Sequence, residues 1–287
     1  MKKIILLSIL FVLSCSFFSH AQWLEKKGNG YFKLGAWALE ADQHYTNTGK
    51  VDPNATRGNF NLNLYGKYGL SDNWNIIAYI PFYVKSYQNH RVSEITNETL
   101  LEGEEFSSFG DVDLGIEYRL FKKSKFAFST TLVLGIPSGD SSGGSDGSYQ
   151  TGDGEFNQFL KFNAGTPLSL FKHSFYAKTY IGFNNKTKNF SDEFRAGIEV
   201  GTGLFGSKLL LLMRSNMVKS LRNGSLNASN NSGSIFANNV EFISIGGEVA
   251  WKFTKKIGVS LGYDSAFSGK IIYAAPSYNA GIFYLLK

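Results

Sequence analysis

The chain has 287 residues, with 29 Lys and Arg against 23 Asp and Glu for a formal charge of +6, and a single cysteine. The basic residues stand singly or in short pairs such as Lys122-Lys123 and Lys255-Lys256, with no stripe to track a phosphate backbone, which argues against nucleic-acid binding. Beyond residue 21 no apolar run approaches the ~20 residues of a membrane helix; the longest, Leu209 to Met213, stops at Arg214.

The N-terminus reads as an export signal. Met1-Lys2-Lys3 is basic, Ile4 to Phe18 is nearly all apolar, and Ser19-His20-Ala21 places small residues at the two positions inspected before cleavage. Residues 1–21 are therefore expected to be removed, leaving 22–287 as one domain of charge +4 (27 minus 23). A lipoprotein signal at Val12-Leu13-Ser14-Cys15 is the competing reading, opposed by the apolar Ser16-Phe17-Phe18 beyond the cysteine. Loss of Cys15 leaves no cysteine, hence no disulfide and no thiolate metal site.

From there the pattern has period two, the mark of half-buried strands. After a first strand at about 31–39, Phe60, Leu62, Leu64, Gly66, Tyr68 and Leu70 alternate with Asn59, Asn61, Asn63, Tyr65 and Lys67. Ser71-Asp72-Asn73 then turns the chain into a partner strand with Trp74, Ile76, Ala78, Ile80, Phe82 and Val84 on its apolar face. Val112, Leu114, Ile116, Tyr118 and Leu120 lead through Lys122-Lys123-Ser124 into Phe126, Phe128, Thr130, Leu132, Leu134 and Ile136. Further strands fall at about 155–164, 175–184, 193–204 and 209–218; a hairpin follows with its turn at Thr254-Lys255-Lys256, and 278–286 closes the series. Tyr68 and Trp74, Tyr118 and Phe126, and Trp251 and Phe253 flank short turns like an aromatic girdle.

Short turns at 71–73, 121–125, 205–208 and 254–256 alternate with longer connections at 40–58, 88–107, 138–153, 220–238 and 268–277; 165–174 is long for a turn and 185–192 short for a loop. Alternating strands and alternating loop lengths predict an all-β fold, a transmembrane antiparallel β-barrel of about 12 strands with both termini periplasmic. Such a wall must close, because lipid satisfies no backbone polar group. A soluble β-sandwich would share the alternation, but the last strand, with Asn279, Gly281, Tyr284 and Leu286, resembles the signal read by outer-membrane barrel-assembly machinery. The expected location is the outer membrane of a double-membraned bacterium. The expected partners are its lipid, the assembly machinery and a small solute, and the barrel is expected to be a monomer.

With apolar faces outward, the opposite faces place Lys33, Lys67, Lys85, Arg119, Lys161, Lys178, Arg195, Arg214 and Lys252 against Asp111, Asp113, Glu117, Glu155, Glu193, Glu199, Glu248 and Asp264 in the lumen. Lys67, Asp111, Asp113, Glu117, Arg119, Glu155, Lys161, Arg195, Glu199 and Glu248 are the lumen-lining candidates. The signs nearly balance, and charges in a narrow lumen favour pairing, so an ion-pair ladder is expected rather than a ring of one sign. Strong charge selectivity is not expected. Asp140, Asp146, Asp153 and Glu155 in the Gly/Ser-rich loop from Ser138 lack the spacing of a calcium loop, so no metal or cofactor is expected. His44, His90 and His173 read as loop or turn residues without a partnered serine, so no nucleophile can be assembled and no enzyme is expected.

Gly110-Asp111-Val112-Asp113-Leu114-Gly115-Ile116-Glu117-Tyr118, Gly135-Ile136-Pro137-Ser138-Gly139 and Thr151-Gly152-Asp153-Gly154 resemble the outer-membrane proteins named after the meta-cleavage pathway of phenol degradation. Glu117 stands where that family tends to have a basic residue, and the outer thirds carry no shared motif. Membership implies a small barrel passing hydrophobic or aromatic compounds; no functional residue is carried over. The expectation is a channel or transporter for a small solute, against the alternative of a structural or surface-interaction barrel with a lumen closed by ion pairs.

Overall fold

The computed structural model describes residues 24–287 apart from 94, 97, 124, 171–172 and 226–233. The expected export signal, 1–21, lies outside the described residues. Twelve strands make the wall: β1 Gly30–Tyr45, β2 Val51–Gly69, β3 Trp74–Gln88, β4 Val112–Lys123, β5 Phe126–Ile136, β6 Asn157–Leu170, β7 His173–Lys186, β8 Glu193–Leu204, β9 Leu209–Ser220, β10 Glu241–Lys252, β11 Ile257–Lys270 and β12 Pro276–Leu286. Each pairs antiparallel with the next, and β12 pairs with β1 from Gly30↔Leu286 to Leu39↔Ser277, which closes the ring. Among the described residues there is no helix.

The polarity is inside-out. Leu34, Leu64, Leu114, Ile116, Ile198 and Leu261 lie on the outer face with 42–66 % of their surface exposed. Of the nine largest fully buried side chains only Leu24 is apolar; the rest include Asn75, Asn184, Glu155 and Thr131. A water-soluble domain does the reverse, whereas a barrel in hydrocarbon needs this distribution. Trp74, Phe126, Trp251 and Phe253 are exposed beside the short turns, as the girdle requires.

The strands run further than the alternation indicates. β1 and β2 continue to a tight turn at 46–50, so most of the expected 40–58 loop is a hairpin standing beyond the apolar belt. The expected long turn at 165–174 is largely strand, because β6 and β7 pair out to Leu170 and His173. Backbone pairing needs no apolar face, so these extensions leave no periodic signal. The short turns now share one rim with Leu24 and Lys287, and the long connections share the other. His44 and His173, read as loop or turn residues, sit at strand ends in β1 and β7.

One break in register corrects the sequence reading. Pro81 has no N–H to give the ladder, and β3 bulges there: Leu64 faces Ile80 but Leu62 faces Tyr83. Everything beyond the bulge changes face. Val84 is buried instead of meeting lipid, and Lys85, assigned to the lumen, points outward and pairs with Glu105. A short strand, Glu104–Ser108, takes over the pairing of upper β3 where β4 has ended.

The small apolar core sits in the long-loop mouth. Ala237 and Val240, from the connection after β9, cluster with Ile271 and Ile272, while Leu39, Ala41 and Tyr273 form a neighbouring cluster that Ile235 joins. That connection therefore folds into the barrel opening.

Candidate functional site: a chain of lumen cavities

Inward residues of neighbouring strands enclose four cavities that share walls. The largest, about 830 Å³, lies among β1, β2, β9, β10 and β12 and is lined by Lys33, Trp37, Asn61, Tyr65 and Glu248 among others. A second of about 300 Å³ carries Lys67, Glu117, Lys161 and Glu199. A third of about 540 Å³ toward the long-loop rim is lined by Trp37, Phe159, Val218, Ile235 and Phe242, and a fourth of about 290 Å³ by Asp111, Asp113 and Arg195. Arg214 lines the first three and Ile235 all but the second, so the cavities share side chains along their series.

Strand geometry places these groups. The register Lys178↔Glu199 sets the two opposite each other on β7 and β8, and their charges meet at 3.0 Å; Tyr176 Oη donates to the same carboxylate at 2.8 Å. Gly197 and Gly201 leave the space over β8 that the rings of Tyr180 and Tyr176 occupy; a Cβ at either would collide with them. Lys67 reaches across β3 to Glu117 at 2.6 Å, and Ser129 donates to that carboxylate at 2.7 Å. Arg214 meets Glu248 at 2.9 Å and Asp264 at 3.9 Å, and Glu248 also takes Lys33 at 3.7 Å. In this low-dielectric interior each pairing offsets the desolvation of both charges.

A separate network closes the long-loop rim. Lys186 lies 3.3 Å from Asp153 and 3.6 Å from Glu193, which also holds Arg195. Asp111 stands outside β4 and clasps the 138–155 loop: its two oxygens accept from Gly139 N–H at 2.9 Å and Asp153 N–H at 2.8 Å. Burial pushes its carboxyl up to about 6; the Gly139 bond opposes this and the Asp153 charge adds to it.

The sequence candidates thus separate. Lys67, Glu117, Lys161 and Glu199 share one cavity, Glu248 joins Lys67 and Glu199 in the largest, and Asp111, Asp113 and Arg195 share the rim cavity. Arg119 lies on the face of Glu117 opposite Ser129, one step toward the short-turn rim. Glu155, grouped with the lumen on alternation, sits before β6 and holds the turn after β7 instead: Thr187 donates to it through both its N–H and, at 2.9 Å, its Oγ1. Burial pushes the Glu155 carboxyl up to about 7, against the Thr187 bond and with the Asp153 charge. Asp140 and Asp146 accept from Ser142 and Ser148 N–H in local turns, and among the described residues no three acidic, His or Cys groups converge on a metal position.

Two lumen features lie outside the alternation altogether. Leu24, 2 % exposed, lines the 300 Å³ cavity at the short-turn end, and the Asn75 amide, oriented with its oxygen toward Glu25 N–H, bridges that backbone N–H at 2.7 Å and its carbonyl at 3.0 Å. Ile235 enters from the other end. The apolar Ile235-Phe236-Ala237 inside an Asn/Ser run is the one sequence signal that marks it.

The closed ring with an apolar exterior and a polar interior defines the fold of the porin-like outer-membrane β-barrels. Similar solved structures include an outer-membrane channel from Pseudomonas putida F1, 11 % identical over 94 % of this chain and 100 % of that one with a TM-score of 0.58. The β domain of the Bordetella autotransporter BrkA is 14 % identical, with 90 % and 99 % covered and a TM-score of 0.52. The translocator domain of the autotransporter NalP from Neisseria meningitidis is 10 % identical, with 99 % and 96 % covered and a TM-score of 0.50. At such identities the likeness is one of fold. No protein-family model and no curated protein matches the sequence.

Proposed function

We propose that the chain is an outer-membrane channel that admits a small solute through its lumen. The observation carrying this reading is the series of wall-sharing cavities between the two rims, polar where the ion pairs lie and apolar around Ile235. A purely structural barrel has no use for about 830 Å³ of open space lined by both charged and apolar side chains, a volume typical of ligand pockets. The paired charges leave no ring of one sign, which suits a narrow passage with modest charge preference. The apolar side chains toward the long-loop rim, Trp37, Phe159, Val218 and Phe242, favour a solute with an apolar body, in keeping with the resemblance of residues 109–165.

The apolar belt supports a barrel set in a bilayer, and the short-turn rim with the termini faces the periplasm in this reading. An enzyme fits less well: among the described residues no histidine is hydrogen-bonded to a serine, and the Nδ1 of buried His44 has no partner. Planar-bilayer recording of the refolded barrel tests the proposal. Discrete conductance steps are expected; a membrane-inserted barrel that stays electrically silent would favour the structural alternative.

A further inference from the structure

Among the described residues Lys161 is a lumen cation with no carboxylate at ion-pair distance. The 300 Å³ cavity is lined by four cationic groups, Lys67, Lys161, Lys178 and Arg214, and by two carboxylates, Glu117 and Glu199. Lys67 is paired with Glu117, Lys178 with Glu199, and Arg214 with Glu248 and Asp264 beyond the cavity. Among the described residues no carboxylate oxygen comes within 4.0 Å of Lys161, and no hydrogen-bond acceptor takes its ammonium. Its nitrogen lies instead 5.4 Å from the ring centre of Tyr180 and 5.8 Å from that of Phe159. Glu117 and Asp113 act on it at longer range, opposed by Lys67 and Lys178, and Glu117 is already committed to Lys67 and Ser129.

The other polar groups around it are spoken for. Asn163 donates to Thr131 at 3.0 Å and to Ser129 at 3.2 Å, and Tyr180 donates to Asn216 at 3.1 Å. What remains is a partly desolvated ammonium with three donors to offer, two aromatic rings beside it, and a cavity to whose lining Leu24, Ile77, Ala127 and Phe128 bring apolar surface. We infer that Lys161 is the anchor of a binding site for a small organic carboxylate with a flat apolar body, the carboxylate on the ammonium and the body against Tyr180 and the apolar part of the cavity lining. An ammonium and a carboxylate in such a site make a short charge-assisted bond. The apolar part of the lining favours an organic anion over a bare inorganic one, and about 300 Å³ sits at the small end of ligand pockets.

The inference rests on the channel reading for the route by which such a solute arrives, but its test does not. Benzoate is titrated calorimetrically into the detergent-folded barrel, with benzyl alcohol as the uncharged control, and with Lys161→Gln and Lys161→Arg variants whose folding is checked by heat-modifiable migration. Saturable benzoate binding is expected, weaker by about tenfold or more in Lys161→Gln, largely retained in Lys161→Arg, and weaker again by about tenfold for benzyl alcohol. Equal binding by Lys161→Gln, equal binding of benzyl alcohol, or no saturable binding by the wild-type barrel overturns it. Single-channel recording separates the two readings: binding without current contradicts the channel alone, and current without a benzoate site contradicts this site alone.

Discussion

The lumen charges are organised pair by pair, and their energetics follow from how little water reaches them. Lys67 and Glu117 have side chains 18 % and 7 % exposed. Lys67→Met keeps the stem but strands a buried carboxylate, and should lower the stability of the folded barrel by about 3 kcal/mol in a denaturant titration, with Lys67→Met/Glu117→Gln recovering much of the loss; equal loss in the single and double variants would mean that the pair is not coupled. The Asp111 clasp gives a pH dependence. Asp111 and Glu155 titrate in the folded state at about 6 and about 7, above the ~4 of exposed carboxylates. Between these limits the folded clasp binds more protons than the opened one, so its stability is greatest in acid and falls as pH rises through 6 to 7. Amide exchange at Gly139, Gly152 and Asp153, corrected for intrinsic rates, should show more protection at pH 5 than at pH 8, and Asp111→Asn should flatten the difference; greater protection at pH 8 would contradict this. Most of the paired charges were readable as lumen residues because strand alternation fixes the face. Their partners were not, since cross-strand register is set by bulges and turns that alternation does not show. Lys85 failed for that reason: one proline moved it to the outside.

At the level of elements, the strands were legible where one face meets hydrocarbon and the other water, and illegible above that belt. β1 and β2 run on as a hairpin, held by ladder bonds that any sequence can make. The connection after β9 was read only as a long loop, yet Ile235 and Val240 dock into the mouth. In the resulting picture this segment, and not the wall, sets the width of the passage at the long-loop end. Removing residues 234–238 should raise single-channel conductance about twofold or more, because a constriction in series dominates the resistance of a narrow pore. A truncated barrel that folds and conducts as before would remove the segment from the conduction path. The short-turn end carries its own obstruction, Leu24, held by the grip of Asn75 on the Glu25 backbone. That contact joins residues 50 positions apart through a single amide, and nothing in the alternation of either segment announces it.

For the whole molecule, the ring of twelve strands follows from a single rule, that every backbone group in lipid is satisfied by a neighbouring strand, and within the apolar belt the sequence meets that rule with a period-two pattern. The proposed binding cavity leaves no such trace, because its lining is drawn from every strand from β2 to β9, at positions far apart in the chain. The account stands on the assignment of inside and outside faces. Its most direct test is reversible folding into lipid vesicles with denaturant titration of two variants: Leu114→Arg and Asn61→Arg. Leu114 is 44 % exposed on the outer face and Asn61 lines the largest cavity. The structure predicts that Leu114→Arg costs about 2 to 4 kcal/mol, the penalty of an arginine near mid-bilayer, while Asn61→Arg costs about 1 kcal/mol for its lost hydrogen bonds to Asn63 and Tyr79. Equal losses, or a greater loss from Asn61→Arg, would contradict the inside-out barrel.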